Sequence, residues 1–161
     1  MQHPTSTETH TDPYQFSVFT PSTTEPHAAA PGLRDWIDAD IKPSRVTIAP
    51  GEDFAVLFDQ LHKLQAIEIQ FPVFTDGRGF STARELRERG YTGTLQATGA
   101  FITDQIEYLS RCGFNAFEFQ SASHAKVAQV RLAQAREVYQ GDARQPLPLF
   151  RRRISQTRET L

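Results

Sequence analysis

The sequence predicts an α/β fold of four successive β-α units, in which a parallel sheet carries its helices mainly on one face, as in half of a β/α barrel. Strand-like and helix-like segments alternate from residue 45 to residue 141, and the connections are too long for hairpins. The predicted strands also alternate apolar and polar residues, whereas strands buried on both faces read as continuous apolar runs. A flavodoxin-like open sheet is the alternative.

The first unit begins with a short β-branched strand at residues 45–49, which Pro50 and Gly51 end. Apolar residues then recur at the i, i+3, i+4 and i+7 spacing of an amphipathic helix over residues 52–63. The segment therefore predicts one complete β-α unit.

The second unit has a strand at residues 66–74 and a glycine-rich turn at residues 76–79. The helix that follows has an apolar face and two i,i+4 pairs of opposite charge. Thr82 and Glu85 have the spacing of a capping box, and Gly90 ends the helix.

The third unit has a strand at residues 94–98 and a helix that ends at Gly113. The fourth has a strand at residues 116–120, followed by a helix with apolar residues between positions 128 and 139. These units complete an α/β domain over residues 45–141.

The two ends of the chain differ in composition from this domain. The first 32 residues contain ten Ser and Thr, five Pro and no Lys or Arg, too little apolar surface to offset the entropy lost on ordering. We therefore expect residues 1–44 to form a disordered tail and a lead-in, and residues 142–161 to form a basic C-terminal tail.

Composition and charge exclude several classes of function. One cysteine excludes an internal disulfide and any self-contained cysteine-built metal or iron–sulfur site. A net charge of −2 predicts no nucleic-acid partner. The sequence also lacks the apolar run of a membrane span and the pattern of a signal peptide, so we expect a cytoplasmic protein without a membrane partner.

The second face of the predicted sheet is polar and needs an explanation, because carboxylates are rarely buried unless they are paired. The side chains expected there are Glu68, Gln70, Gln96 and Glu118. This face lines a ligand site, meets a second copy of the chain to close a barrel, or is simply solvated.

The loop after the second strand is the candidate ligand site, because parallel α/β folds bind ligands beyond the carboxyl ends of their strands. Glycines that allow close backbone approach, a helix N-terminus and an arginine suit a small anion. The candidate residues are Asp76, Gly77, Arg78, Gly79, Ser81, Thr98 and Gly99. In the alternative interpretation the glycines serve a tight turn and Arg78 pairs with Asp76 or with a glutamate of the sheet.

Other candidates for chemistry have structural explanations. Cys112 falls at the end of a predicted helix, where the helix dipole disfavours a thiolate, so we interpret it as a buried structural thiol. His62 and His124 have no ligand spacing, and Asp104 has a favourable position in the first turn of a helix. The residues therefore predict no catalytic set, no metal site and no identifiable cofactor.

Three stretches of the chain carry a family resemblance: residues 71–87, 104–105 and 111–118. Over residues 45–140 the sequence resembles uncharacterised bacterial proteins whose genes neighbour that of the sulfite/nitrite reductase haemoprotein, and which are labelled oxidoreductases of sulfite reduction. The resemblance implies a place in assimilatory sulfite reduction and the reductase as a partner. It supplies no catalytic residues, so whether the protein is an enzyme stays open.

The third strand departs from the pattern of these proteins, which have a charged residue where this chain has Gln96 and another where it has Ala100. An arginine at position 96 would neutralise Glu68 or Glu118, or hold an anion, and glutamine does not supply that charge. Two hypotheses follow. One is an accessory or oxidoreductase-associated protein that binds a small anion or anionic cofactor at the loop. The other is a non-enzymatic adaptor that docks on the reductase, or forms a homodimer, through the polar face.

Overall fold

The fold is a five-stranded parallel sheet with helices packed against it. The structure, a computed structural model, describes residues 16–20, 30–134, 139–143 and 145–151. The strands are β1 (Ser17–Phe19), β2 (Arg45–Ile48), β3 (Ala66–Phe71), β4 (Thr94–Gly99) and β5 (Ala116–Glu118). They lie in the order β1-β5-β4-β3-β2, and every pair is parallel.

The helices cover one face of this sheet. They are α1 (Leu33–Asp38), a first 3₁₀ helix (Ala55–Lys63), α2 (Arg78–Glu88), a second 3₁₀ helix (Thr103–Gln105), α3 (Ile106–Cys112) and α4 (Ala122–Ala133). Their buried side chains join those of the strands in one hydrophobic cluster. In β3, Ile67 and Ile69 belong to this cluster, while Glu68 is half-buried and Gln70 is exposed on the opposite face.

This arrangement confirms the predicted α/β fold with a parallel sheet. Strands β2 to β5 follow one another in chain order, which is the order of consecutive units in a β/α barrel. The flavodoxin-like alternative would interleave the strands as 2-1-3-4-5. Alternation of apolar and polar residues therefore predicted both the class of fold and the face that carries the helices.

The N-terminal region differs from the predicted tail and lead-in. Strand β1 adds to the free edge of β5, where Ser17 N–H donates to the Asn115 carbonyl at 2.9 Å and the Phe16 ring lies 6.1 Å from that of Phe117. Helix α1 buries Leu33 and Trp36 in the core. Burial of these two apolar side chains offsets the entropy lost on ordering. The prediction from composition did not include this gain, because the surrounding residues are mostly polar. Residues 1–15 and 21–29 lie outside the described residues.

The start of the predicted C-terminal tail also packs on the domain. Ala143 N–H donates to the Arg111 carbonyl at 3.0 Å, and Asp142 is buried. Residues 152–161, which contain most of the predicted basic cluster, lie outside the described residues.

Several element bounds differ from the sequence prediction for local reasons. Strand β3 ends at Phe71 rather than residue 74, because Pro72 has no N–H to continue the ladder. The segment Ala55–Lys63 is a 3₁₀ helix, and apolar spacing over two turns does not distinguish 3.0 from 3.6 residues per turn. Helix α4 ends at Ala133, and residues 135–138 of its predicted extension lie outside the described residues.

Arg87 ties the end of α2 to the end of α3. Its Nε and Nη2 donate to the Gly113 carbonyl at 3.0 and 2.9 Å. Its Nη1 donates to the carbonyls of Tyr91 and Gly93 at 2.6 and 2.9 Å. One side chain thus provides hydrogen bonds to three backbone carbonyls that lie just after α2 and α3. These bonds also fix the distance between the two helices.

We expect Arg87→Met to lower the free energy of unfolding by about 2–3 kcal/mol, because methionine keeps the apolar stem and leaves these carbonyls without a charged donor. Urea unfolding measures the change. Arg84→Met on the same helix removes an exposed pair with Glu88 and should cost less than about 1 kcal/mol. Equal losses in the two variants would contradict this role for Arg87.

Candidate functional site

The loop between β3 and α2 contains an ion pair between Asp76 and Arg78. Arg78 Nε and Nη2 donate to Asp76 Oδ1 and Oδ2 at 3.0 and 2.7 Å, and the Arg78 backbone N–H donates to Oδ1 at 3.1 Å. These hydrogen bonds hold the pKa of Asp76 below its usual range and raise that of Arg78. The pairing is the one that the alternative interpretation of the loop predicts.

Two glycines of the predicted anion site are explained by packing around Phe71. A Cβ on Gly79 would lie 2.6 Å from Cζ of the Phe71 ring. Gly99 has φ of +92°, and a Cβ there would lie 2.3 Å from the Phe71 carbonyl oxygen. A Cβ on Gly77 would meet no atom within 4 Å in the part of the chain that the structure describes.

The remaining residues of the predicted anion site lie in different places. Ser81 is in the first turn of α2 and contributes to a cavity between α2 and α3. Thr98 pairs in register with Gln70 of β3, so it belongs to the polar face of the sheet. The structure therefore brings Asp76 and Arg78 together. Ser81 and Thr98 lie in two other places, one at the cavity and one on the polar face of the sheet.

The polar sheet face carries a hydrogen-bonded network across three neighbouring strands. Glu68 of β3 pairs in register with Gln96 of β4. Gln96 Nε2 donates to Glu118 Oε2 of β5 at 3.2 Å. Gln96 is only 5% exposed and lies between the two glutamates, so the amide separates groups that would repel each other if they were in direct contact.

Arg45 of β2 supplies the cation on this face, and the sequence analysis did not identify it. Its Nη2 forms an ion pair with Glu68 Oε1 and lies 3.5 Å from Gln96 Oε1. Thr47 Oγ1 lies 3.3 Å from Glu68 Oε2. The signal was present, because Arg45 and Thr47 alternate with the buried Val46 and Ile48. The network of these residues with Gln96 and Glu118 is called the polar-face network below.

A cavity of about 130 Å³ lies between α2, α3 and the segment at residues 141–142. We call it the α2–α3 cavity. The polar groups that line it come from Ser81, Arg84, Tyr108, Arg111, Cys112 and Asp142. Sequence reasoning missed Arg84 and Arg111 here, because both occupy ordinary solvent-facing positions of their helices.

Cys112 is buried at the end of α3, as predicted, and Gly113 follows it in the left-handed conformation with φ of +111°. Burial raises the pKa of the Cys112 thiol, while a hydrogen bond with Tyr108 and the nearby charges of Arg84 and Arg111 act in the opposite direction. The raised pKa favours the thiol over the reactive thiolate at neutral pH.

The remaining titratable residues considered in the sequence do not belong to the loop, the polar face or the cavity. His62 and His124 are exposed, and Asp104 pairs with Arg131 at 2.9 Å. Within residues 16–20, 30–134, 139–143 and 145–151, His, Cys, Asp and Glu form no cluster of three that suits a metal ion. No helix in these same ranges is both long enough and apolar enough to span a membrane.

The sequence of the chain matches the model of one protein family. The model of a family described as "Bacterial protein of unknown function (DUF934)" matches residues 45–150. The chain belongs to this family. The DUF934 region includes β2 to β5, the Asp76–Arg78 loop and the α2–α3 cavity, and it begins after β1 and α1. This confirms the resemblance as far as an uncharacterised bacterial family. A search of curated proteins finds no match.

We expect the pKa of the Asp76 carboxyl to rise into its usual range in Arg78→Gln, because the substitution removes the guanidinium that stabilises the carboxylate. Side-chain carboxyl NMR over an acid titration measures this pKa. Since the pKa is lowered in the folded protein, any stability that the pair contributes is present at neutral pH and lost as the pH falls through that value. Arg89→Gln is the control, and an unchanged Asp76 pKa in Arg78→Gln would contradict the pairing.

Proposed function

We propose that this protein is a non-catalytic accessory protein of assimilatory sulfite reduction that docks on the sulfite/nitrite reductase haemoprotein through the polar sheet face. The observation that supports docking is the one-sided sheet, since the hydrophobic cluster takes in the helices on one face only. The opposite face carries charged and amide groups held by hydrogen bonds, with Gln70 exposed and Arg45, Glu68 and Glu118 partly exposed. The choice of partner rests on the family resemblance.

The polar-face network suits recognition more than catalysis. Its charged groups are already paired, as in interfaces where complementary polar groups fix orientation and partner choice. Gln70 is exposed beside the network and offers both amide donors and acceptors. By contrast, the buried Cys112 thiol has a raised pKa, which makes it a weak nucleophile.

Anion binding at the Asp76–Ser81 loop has less support than docking. Asp76 neutralises Arg78 through two side-chain hydrogen bonds, so an incoming anion would compete with a carboxylate already in place. Arg78 Nη1 takes no part in those two bonds and lies near Gly51. It is a donor through which this loop would hold an anion.

Binding of the purified reductase to the immobilised protein tests the docking proposal. We expect the Kd to rise by about tenfold or more in each of two variants, Glu118→Lys and Gln70→Lys, since both place a new cation on the docking face. Gln70→Lys leaves every hydrogen bond of the polar-face network intact, so its effect does not depend on a disturbed fold.

Glu107→Lys is the matched control, because it introduces the same side chain at an exposed position of α3 on the helix side. It should leave the Kd within about twofold of the wild-type value. Light scattering on the same proteins measures their oligomeric state, and a dimer would identify a second copy of this chain as the partner. A wild-type protein that stays monomeric and does not bind the reductase would exclude docking through this face.

A further inference from the structure

The α2–α3 cavity contains two guanidinium groups contributed by different helices. Arg84 comes from α2 and Arg111 from α3. The charge of each favours the thiolate of Cys112, which lines the same cavity. Each also has a carboxylate nearby, Glu88 for Arg84 and Asp142 for Arg111, so the cavity attracts an anion through the donors that these pairs leave unused.

Some N–H donors of these two arginines have no hydrogen-bond acceptor among the residues that the structure describes. The buried Arg111 Nε has no hydrogen-bond acceptor among the residues that the structure describes, and the nearest carboxylate oxygen, Asp142 Oδ2, is 3.9 Å away. Arg84 uses Nε for Glu88 at 2.9 Å, which leaves its two terminal nitrogens. A buried donor without an acceptor is costly, so an acceptor supplied by a ligand would be stabilising.

The remaining lining groups fit an anion with several oxygen atoms. Ser81 and Tyr108 contribute hydroxyl groups that donate hydrogen bonds. Asp142 contributes one negative charge, but its Oδ1 accepts a hydrogen bond from Gln145 N–H at 2.7 Å. The lining thus has two cations and one anion, and Glu88, which pairs with Arg84 outside the lining, balances the second cation.

The size of the cavity limits the class of ligand. A volume of about 130 Å³ corresponds to roughly four water molecules at about 30 Å³ each. A nucleotide, a flavin or a peptide would extend well beyond it. A small oxyanion with oxygen atoms on several sides suits both the volume and the fork-like donors of arginine.

We propose that the α2–α3 cavity is a binding site for a small divalent oxyanion of the sulfate, sulfite or phosphate type, held by Arg84 and Arg111 and oriented by the hydroxyls of Ser81 and Tyr108. The site is separate from the Asp76–Arg78 loop and from the polar sheet face. It does not depend on docking to the reductase, and either proposal can fail without the other.

Isothermal titration calorimetry of the full chain with sulfate, sulfite and phosphate, at an ionic strength fixed with chloride, tests the site. We expect saturable binding of one equivalent of at least one of these anions. Arg84→Gln and Arg111→Gln should each raise the Kd by about tenfold or more, because each removes a charge-assisted contact. Arg131→Gln, which changes an exposed arginine of α4 paired with Asp104, should keep the Kd within about twofold.

Ser81→Leu provides a second variant that leaves both arginines in place. Ser81 is exposed at the mouth of the cavity, so leucine is tolerated by the fold and obstructs entry. Loss of binding in Ser81→Leu, with an unchanged melting temperature, supports the assignment. No saturable binding of any of the three anions, or binding that both arginine variants and Ser81→Leu leave unchanged, would overturn it.

Discussion

The large apolar side chains of β2 to β5 point to one side of the sheet, and the rest of the molecule is arranged around their burial. Because consecutive residues of a strand face opposite ways, each strand must pair in a register that keeps its apolar residues on the helix side. A slip of one residue in β4 would place Gln96 in the core and Leu95 on the polar face. The same constraint that fixes the register thus aligns Glu68 with Gln96.

The polar face is therefore a consequence of how the core is built. Arg45, Glu68, Gln96 and Glu118 occupy it because the alternate positions are needed by the core, and they satisfy one another through hydrogen bonds. Gln96 lies at the centre of the network and carries no charge. Arg45, two strands away on β2, reaches across β3 and places a positive charge 3.5 Å from the Gln96 amide oxygen.

The fold was largely predictable, because alternation in strands and apolar periodicity in helices are local signals. Strand β1 was not predictable in the same way: its three residues lie in a polar segment, and their burial depends on contact with β5, far along the chain. The candidate site was predictable only in part. The Asp76–Arg78 pair is local in sequence, whereas the meeting of Arg84 with Arg111 depends on how α2 packs against α3.

Strand β1 gives the molecule an order of assembly. Ser17 pairs with Ala116, so β1 can join the sheet only after β5 has been synthesised. Until then β5 has an open edge, and edges of this kind recruit strands from other chains. Strand β1 covers this edge of β5 and becomes the edge strand itself, and its length of three residues leaves a shorter edge for another chain to pair with. It lies before residue 45, where the family-matched part of the domain begins.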